Sequence, residues 1–268
     1  MRKRIVGLLM AFTLANSIIL TGCGKGAATK KADQLSAIKE AGKIVFAMEG
    51  QWAPWTYHDE SGELVGFDTE VGKAIAEKLG VEAEFVEGDW DGLFTGLDIG
   101  RYDAVINGVE ITDERSQKYD FTTPYAYIKT GLVVAKDNED IKTFEDLNGR
   151  STSNSLGSTY ADLAESYGAS VQNVSTLSET IDMVLSGRVE ATLNAEVSFY
   201  DYLSEHPDAA IKIVALTDDA SKVSIPLRKG DETKALREAI DKAIKELSED
   251  GTLSSISMKY FGSDITKE

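Results

Sequence analysis

The chain has 268 residues, 42% of them hydrophobic and 27% charged, with 28 basic and 45 acidic side chains and one cysteine. These proportions describe a folded globular protein with room for one or two cores and exclude an intrinsically disordered chain. A net charge of −17 argues against nucleic acid and against docking on anionic lipid, and one cysteine excludes a disulfide within the chain.

Arg2, Lys3 and Arg4 precede an apolar run over 5–20, broken by Asn16 and Ser17 and closed by Leu20, Thr21, Gly22 and Cys23. This is the pattern of a secretory signal over 1–22, too short and too interrupted for a membrane span. "LTGC" resembles the bacterial lipobox, in which the cysteine is lipidated and becomes the mature N-terminus; the alternative is a cysteine without special role. Residues 23–37 then read as a lipidated tether, small and polar. Loss of the three basic residues of the signal leaves a mature charge of about −20.

Strand and helix patterns alternate from there. Residues 43–48 (KIVFAM) form a short apolar strand, and Asp68 is expected to N-cap a helix whose Val71, Ala74, Ile75 and Leu79 share one face before Gly80 stops it. A strand over 81–85, a helix over 90–97 and a strand over 103–106 complete the first cycle. The second runs through a strand at 128–136, a turn at 144–147, a Ser/Thr-rich strand and turn at 151–159, a helix at 160–167 and a strand at 171–174. A helix at 179–185, a strand at 191–194, a helix at 197–203 and strands at 211–216 and 223–227 follow. A long helix over 232–248 carries Ala235, Leu236, Ala239, Ile240, Ala243, Ile244 and Leu247 on one stripe, and a shorter helix ends the chain. Strands separated by helices imply α/β lobes with parallel, helix-covered sheets.

Few residues suggest catalysis. His58 and His206 are the two histidines, far apart and in polar surroundings, with no nucleophile-elbow glycine pattern beside them. Metal-ligand spacing and phosphate-cradling glycine loops are absent from the sequence, so no metal, cofactor or catalytic residue is expected. What remains is a set of aromatics and opposed charges at the ends of the expected strands, where open α/β sheets bind ligands. Glu49, Trp52 and Trp55 follow the first strand, Trp90 opens a helix, and Glu110 and Arg115 follow the third strand. Gly157, Ser158 and Thr159 precede a helix, and their N–H groups and hydroxyls suit an anion. An arginine suits a carboxylate and a glutamate an ammonium, the two charges of an α-amino acid. The alternative is a surface arginine paired with Asp113 or Glu114.

The stretches "GKIVFAMEGQWAPWTYHDESGELVGFDTEVGKAIAEKLGV", "GDWDGLFTGLDIGRYDAVINGVEITDERSQKYDFTTPY" and "EDGTLSSISMKYFG" together resemble the family 3 extracellular solute-binding proteins of ABC importers. The resemblance spans residues 43–262 and implies a two-lobed periplasmic-binding-protein type II fold, two α/β lobes joined by two hinge strands. Lobe 1 would comprise 38–127 and 219–268, lobe 2 131–215. The implied protein is a monomeric lipoprotein, not an enzyme, that captures a polar amino acid outside the cell membrane and passes it to an ABC permease. By the same resemblance, Trp52 and Trp90 cover the ligand side chain, and Asn107, Gly108 and Glu110 meet its main-chain groups. Arg115, Ser158 and Thr159 hold its carboxylate, and Glu49 sits where the family often has an acid. Position 110 is usually a small hydroxyl residue, and the second lobe's usual acid is Ala195 here, so Glu110 is expected to take the ammonium. Asn194 and Glu196 are further candidates from lobe 2, Glu196 alternatively as a helix cap. The stretches "MEGQWAPWTYHD" and "STSNSLGSTYADLAESYGA" look most like the cystine-binding branch. A dehydratase using Glu110 as general acid is the alternative activity. A sensor module is disfavoured, no membrane helix or signalling domain following Glu268.

Overall fold

Alternation along one strand organises the first lobe. In Lys43–Met48, Ile44, Phe46 and Met48 are buried in one apolar cluster, while Val45 and Ala47 face a second one around Leu93, Leu97 and Tyr102. Two apolar faces require cover on both sides. The helix Phe67–Leu79 covers the first through Val71 and Ile75, and the helix Trp90–Asp98 covers the second. The computed structural model describes residues 33–268. In it, Lys43–Met48 is the middle of three parallel strands, with Glu82–Glu87 on one side and Ala104–Val105 on the other.

The signal 1–22 and the lipidation of Cys23 lie outside the described residues. The tether expected to reach residue 37 ends earlier, because Gln34–Ala41 is a helix. Asp33 accepts from the Ser36 N–H at its start, Ile38 is buried beneath it, and Gly42 at φ 72° ends it. Asp68 does not cap its helix either. Gly66 holds the cap position, and Asp68 is fully buried, accepting from Gly108 N–H and the Tyr125 hydroxyl.

The expected strand over 128–136 divides at Lys129. There Lys129 N–H donates to Glu196 Oε2 at 2.7 Å, and Thr130 N–H donates to Thr217 Oγ1 at 3.0 Å, so side chains interrupt the ladder. Ala126–Ile128 instead pairs antiparallel with Ser221–Val223, and these two strands connect the lobes. The second lobe is a five-stranded sheet in the order Ser170–Asn173, Ser151–Asn154, Ala191–Ala195, Thr130–Ala135, Ile211–Leu216. The first three run parallel and the rest join antiparallel.

The helices Asp231–Glu249 and Thr252–Phe261 return to the first lobe. Leu236, Ile240, Ile244 and Leu247 are buried in the same cluster as Ile75 and Leu79. Each such side chain contributes about 1.5–3 kcal/mol on leaving water.

Candidate functional site

Glu49, Trp52, Trp90, Asn107, Gly108, Glu110, Arg115, Ser158, Thr159 and Asn194, expected far apart along the chain, line a single pocket between the lobes. It opens where strands of both sheets end, as in other open α/β sheets.

On the first lobe, Glu49 and Asn107 lock each other. Asn107 Oδ1 accepts from Glu49 N–H at 2.8 Å, and Asn107 Nδ2 donates to Glu49 Oε2 at 2.7 Å. Burial raises the Glu49 pKa to about 7, against the lowering effect of the Asn107 bond. Trp52 stacks on Trp55 with ring centres 5.2 Å apart. Trp55 is fully buried against Phe67 and Phe261, so it is core and carries its neighbour. Trp52 passes directly over Gly108, where a Cβ would lie 2.6 Å from the indole and φ is +56°. Only glycine satisfies both conditions. Because the Gly108 N–H donates to Asp68, it is turned away from the pocket.

Arg115 belongs to the short helix Asp113–Lys118, whose start is fixed by Thr112 Oγ1 accepting from Arg115 N–H. Its guanidinium lies 5.1 Å from the Trp90 ring centre and 5.8 Å from that of Phe94. Nη1 donates to the Glu110 backbone oxygen at 2.9 Å and Nη2 to Gly157 O at 3.1 Å. The surface pairing with Asp113 or Glu114 is not what the structure shows. Burial lowers the Arg115 pKa, and the charge of Glu110 opposes that shift.

From the second lobe, Ser158 caps the helix Thr159–Ser166, its Oγ accepting from Ala161 N–H at 3.1 Å. Thr159 Oγ1 donates to Glu110 Oε1 at 2.5 Å. Asn194 Oδ1 accepts from Trp52 Nε1 at 3.2 Å and from Ala195 N–H at 2.9 Å. Ala195 itself is fully buried in the apolar cluster and does not line the pocket. Glu196 is also outside it: its carboxylate accepts from Lys129 N–H, and burial raises its pKa to about 7.

Sequence reading missed Asn154, Tyr160, Ser175, Thr176 and Thr180, which complete the lobe-2 wall. Asn154 ends a strand and Ser175 follows one, so strand ends were the available signal. Neither His58 nor His206 lines the pocket, and the described residues hold no group of three or more His, Cys, Asp or Glu placed for a metal. The arrangement offers two carboxyl groups, a guanidinium, two indoles and a ring of hydroxyls, which suits binding of a small zwitterion.

The model of the bacterial extracellular solute-binding proteins, family 3, matches residues 44–263. The chain is 36% identical to the L-cystine-binding protein TcyA of Bacillus subtilis (strain 168), over all of both proteins. Among solved structures, an ancestral arginine-binding protein bound to arginine is 38% identical with a TM-score of 0.77, covering 82% of this chain and 99% of that one. The unliganded, open L-cystine solute receptor of Neisseria gonorrhoeae is 36% identical with a TM-score of 0.60, covering 87% and 99%. The chain belongs to the bacterial extracellular solute-binding proteins of family 3.

Proposed function

We propose that this extracytoplasmic substrate-binding protein captures a polar amino acid, L-cystine foremost, between its lobes and delivers it to an ABC permease, working as a monomer anchored by a lipid on Cys23. The carrying observation is that Glu110 and Arg115 line one pocket with opposite charges, flanked by Trp52 and Trp90. In this reading Arg115, with Ser158 and the backbone N–H of Thr159 at the helix start, receives the ligand carboxylate, and Glu110 receives the ammonium. Both indoles pack on the side chain. Closure around the ligand would use contacts that already cross the cleft: Trp52 to Asn194, Trp55 to Ser198, Arg115 to Gly157 and Thr159 to Glu110. Cystine is favoured over other polar amino acids by the similarity to TcyA and to the gonococcal receptor.

A dehydratase on this fold would need a carboxyl that donates a proton. Glu110 Oε1 is engaged by the Thr159 hydroxyl and Glu49 Oε2 by the Asn107 amide, and the similar proteins named above are amino-acid binders, which supports binding over catalysis. A thermal-shift screen against the twenty amino acids and cystine tests the proposal, since a bound ligand raises the melting temperature. Stabilisation by cystine supports it. Stabilisation by another amino acid corrects the specificity, and turnover of a prephenate-like acid would replace the binding reading.

A further inference from the structure

The second lobe leaves a hydrogen-bond acceptor unmet in the pocket wall. Asn154 ends the strand Ser151–Asn154, is 1% exposed, and donates from Nδ2 to Leu193 O at 2.6 Å. A backbone carbonyl can only accept, so this bond fixes the amide with its nitrogen toward Leu193 and its oxygen turned away. That Oδ1 is buried without a partner among the described residues, in a side chain that lines the pocket. Native proteins rarely leave a buried amide oxygen unpaired, and a ligand cavity is where one is left for the ligand to satisfy.

Its position separates it from the charged pair. Arg115 and Glu110 reach Gly157 and Thr159. Asn154 is tied instead to the next loop, its backbone oxygen accepting from Val174 N–H, while Ser155 Oγ donates to Val174 O at 3.0 Å. That loop brings Ser175 and Thr176 to the pocket. A ligand with its main-chain charges at Arg115 and Glu110 would turn its side chain toward this stretch of wall. The Tyr160 ring is 8% exposed in the same pocket. Burial, then the charges of Glu110 and Glu196, holds its hydroxyl pKa well above the usual value, and Arg115 and the Ala195 N–H oppose them.

We infer that Asn154 determines specificity: its Oδ1 accepts a hydrogen bond from a nitrogen donor on the ligand's side chain, selecting such amino acids over those with apolar side chains. Cystine meets the condition, because its distal half carries an ammonium. The inference rests on the amino-acid reading of the pocket.

Calorimetry on the full mature protein tests it with matched ligands. The pairs are L-cystine against the mixed disulfide of L-cysteine and 3-mercaptopropionic acid, L-arginine against L-norleucine, and L-glutamine against L-methionine. In the wild type, the donor-bearing member of the pair that binds should be tighter by roughly tenfold or more. In Asn154→Ala the difference should collapse. Equal binding of both members by the wild type, or a difference that persists in folded Asn154→Ala, overturns the inference and leaves the amino-acid reading standing. Should Asn154→Ala fail to fold, the near-isosteric Asn154→Leu takes its place, and a wild-type difference that persists in it overturns the inference equally. Binding of none of the six ligands overturns both.

Discussion

Thr159 Oγ1 meets Glu110 Oε1 at 2.5 Å, joining the two lobes at the pocket, while Arg115 reaches the backbone oxygen of Glu110 rather than its carboxylate. The guanidinium and the carboxylate therefore do not use each other up. Glu110 is fixed by its main chain, bridging to Val223, and Ile111 N–H donates to Lys222 O beside it. Arg115 is fixed by its helix cap and by the face of Trp90. Two opposite charges held separately, each with bonding capacity left, are what the proposed zwitterion site requires.

Arg115→Ala should weaken binding of the amino acid by about 2–5 kcal/mol, because the ligand carboxylate would be desolvated without a partner. The fold should persist, since Arg115 lies against the Trp90 and Phe94 rings and belongs to no apolar cluster. Arg115→Lys should recover only part of the loss, a compact ammonium replacing a planar fork. Calorimetry checks both, and unchanged affinity in folded Arg115→Ala would remove this residue from the site.

Asp68 should give stability a pH dependence. Burial raises its pKa from an ordinary 3.8 to about 7, despite hydrogen bonds from Tyr125 and Gly108. Between those values the native protein keeps a proton that the unfolded chain has released. The stabilising contribution is thus fully present below the unfolded value and is lost as pH rises through about 7. Asp68→Asn retains one acceptor for Gly108 and a donor for Tyr125 but cannot ionise. Relative to wild type it should gain on the order of 1–4 kcal/mol between about pH 4 and about pH 8. Glu49 and Glu196, also raised to about 7, are common to both proteins and cancel in the difference. Chemical denaturation series that stay parallel across this range would show that Asp68 does not titrate there.

The contrast between Phe46 and Asp68 shows which parts of the fold were legible in the sequence. Phe46 belongs to an alternating strand, and Leu236 to a long one-faced helix; periodicity reports such elements because burial acts on every second or every third and fourth residue. Asp68 looked like a cap, yet its partners Tyr125 and Gly108 lie 57 and 40 residues away, and no local pattern encodes them. The helix Gln34–Ala41 escaped for a related reason. Its apolar residues Leu35 and Ile38 make too short a stripe to distinguish it from a polar tether. In the site, charged and aromatic residues were legible through their chemistry and their place in motifs. Asn154 was not, because its significance lies in a bond it fails to make after folding.

Cys23→Ser should release the protein from membranes into the soluble fraction, without changing its ligand affinity. The expectation follows from the signal-like run ending in "LTGC" and from Cys23 being the only cysteine. Fractionation and mass spectrometry of the mature N-terminus check it. An unmodified Cys23 inside an uncleaved precursor would end the anchoring proposal.

Glu110 can hold the ligand's ammonium, or it can serve only as the acceptor of a bond between lobes, and two substitutions separate these roles. Glu110→Gln keeps a carbonyl oxygen for Thr159 and removes the charge; Thr159→Val removes the hydroxyl and keeps the charge. If Glu110 takes the ammonium, Glu110→Gln should weaken binding of the amino acid by about 1.5–3 kcal/mol. An analogue lacking the amine should bind poorly to wild type and no worse to Glu110→Gln. Thr159→Val should then lower affinity for both ligands alike, since it frees a cross-lobe contact and leaves the charge in place. Restoring an acid at position 195 is not a useful rescue, because Ala195 is fully buried and a carboxylate there would lack solvent. A purely latching role predicts something different: Glu110→Gln, which keeps the acceptor for Thr159, binds aminated and deaminated ligands about as wild type does, and only Thr159→Val weakens them, both alike. That outcome in calorimetry would sink the ammonium assignment and leave Glu110 as a closure residue.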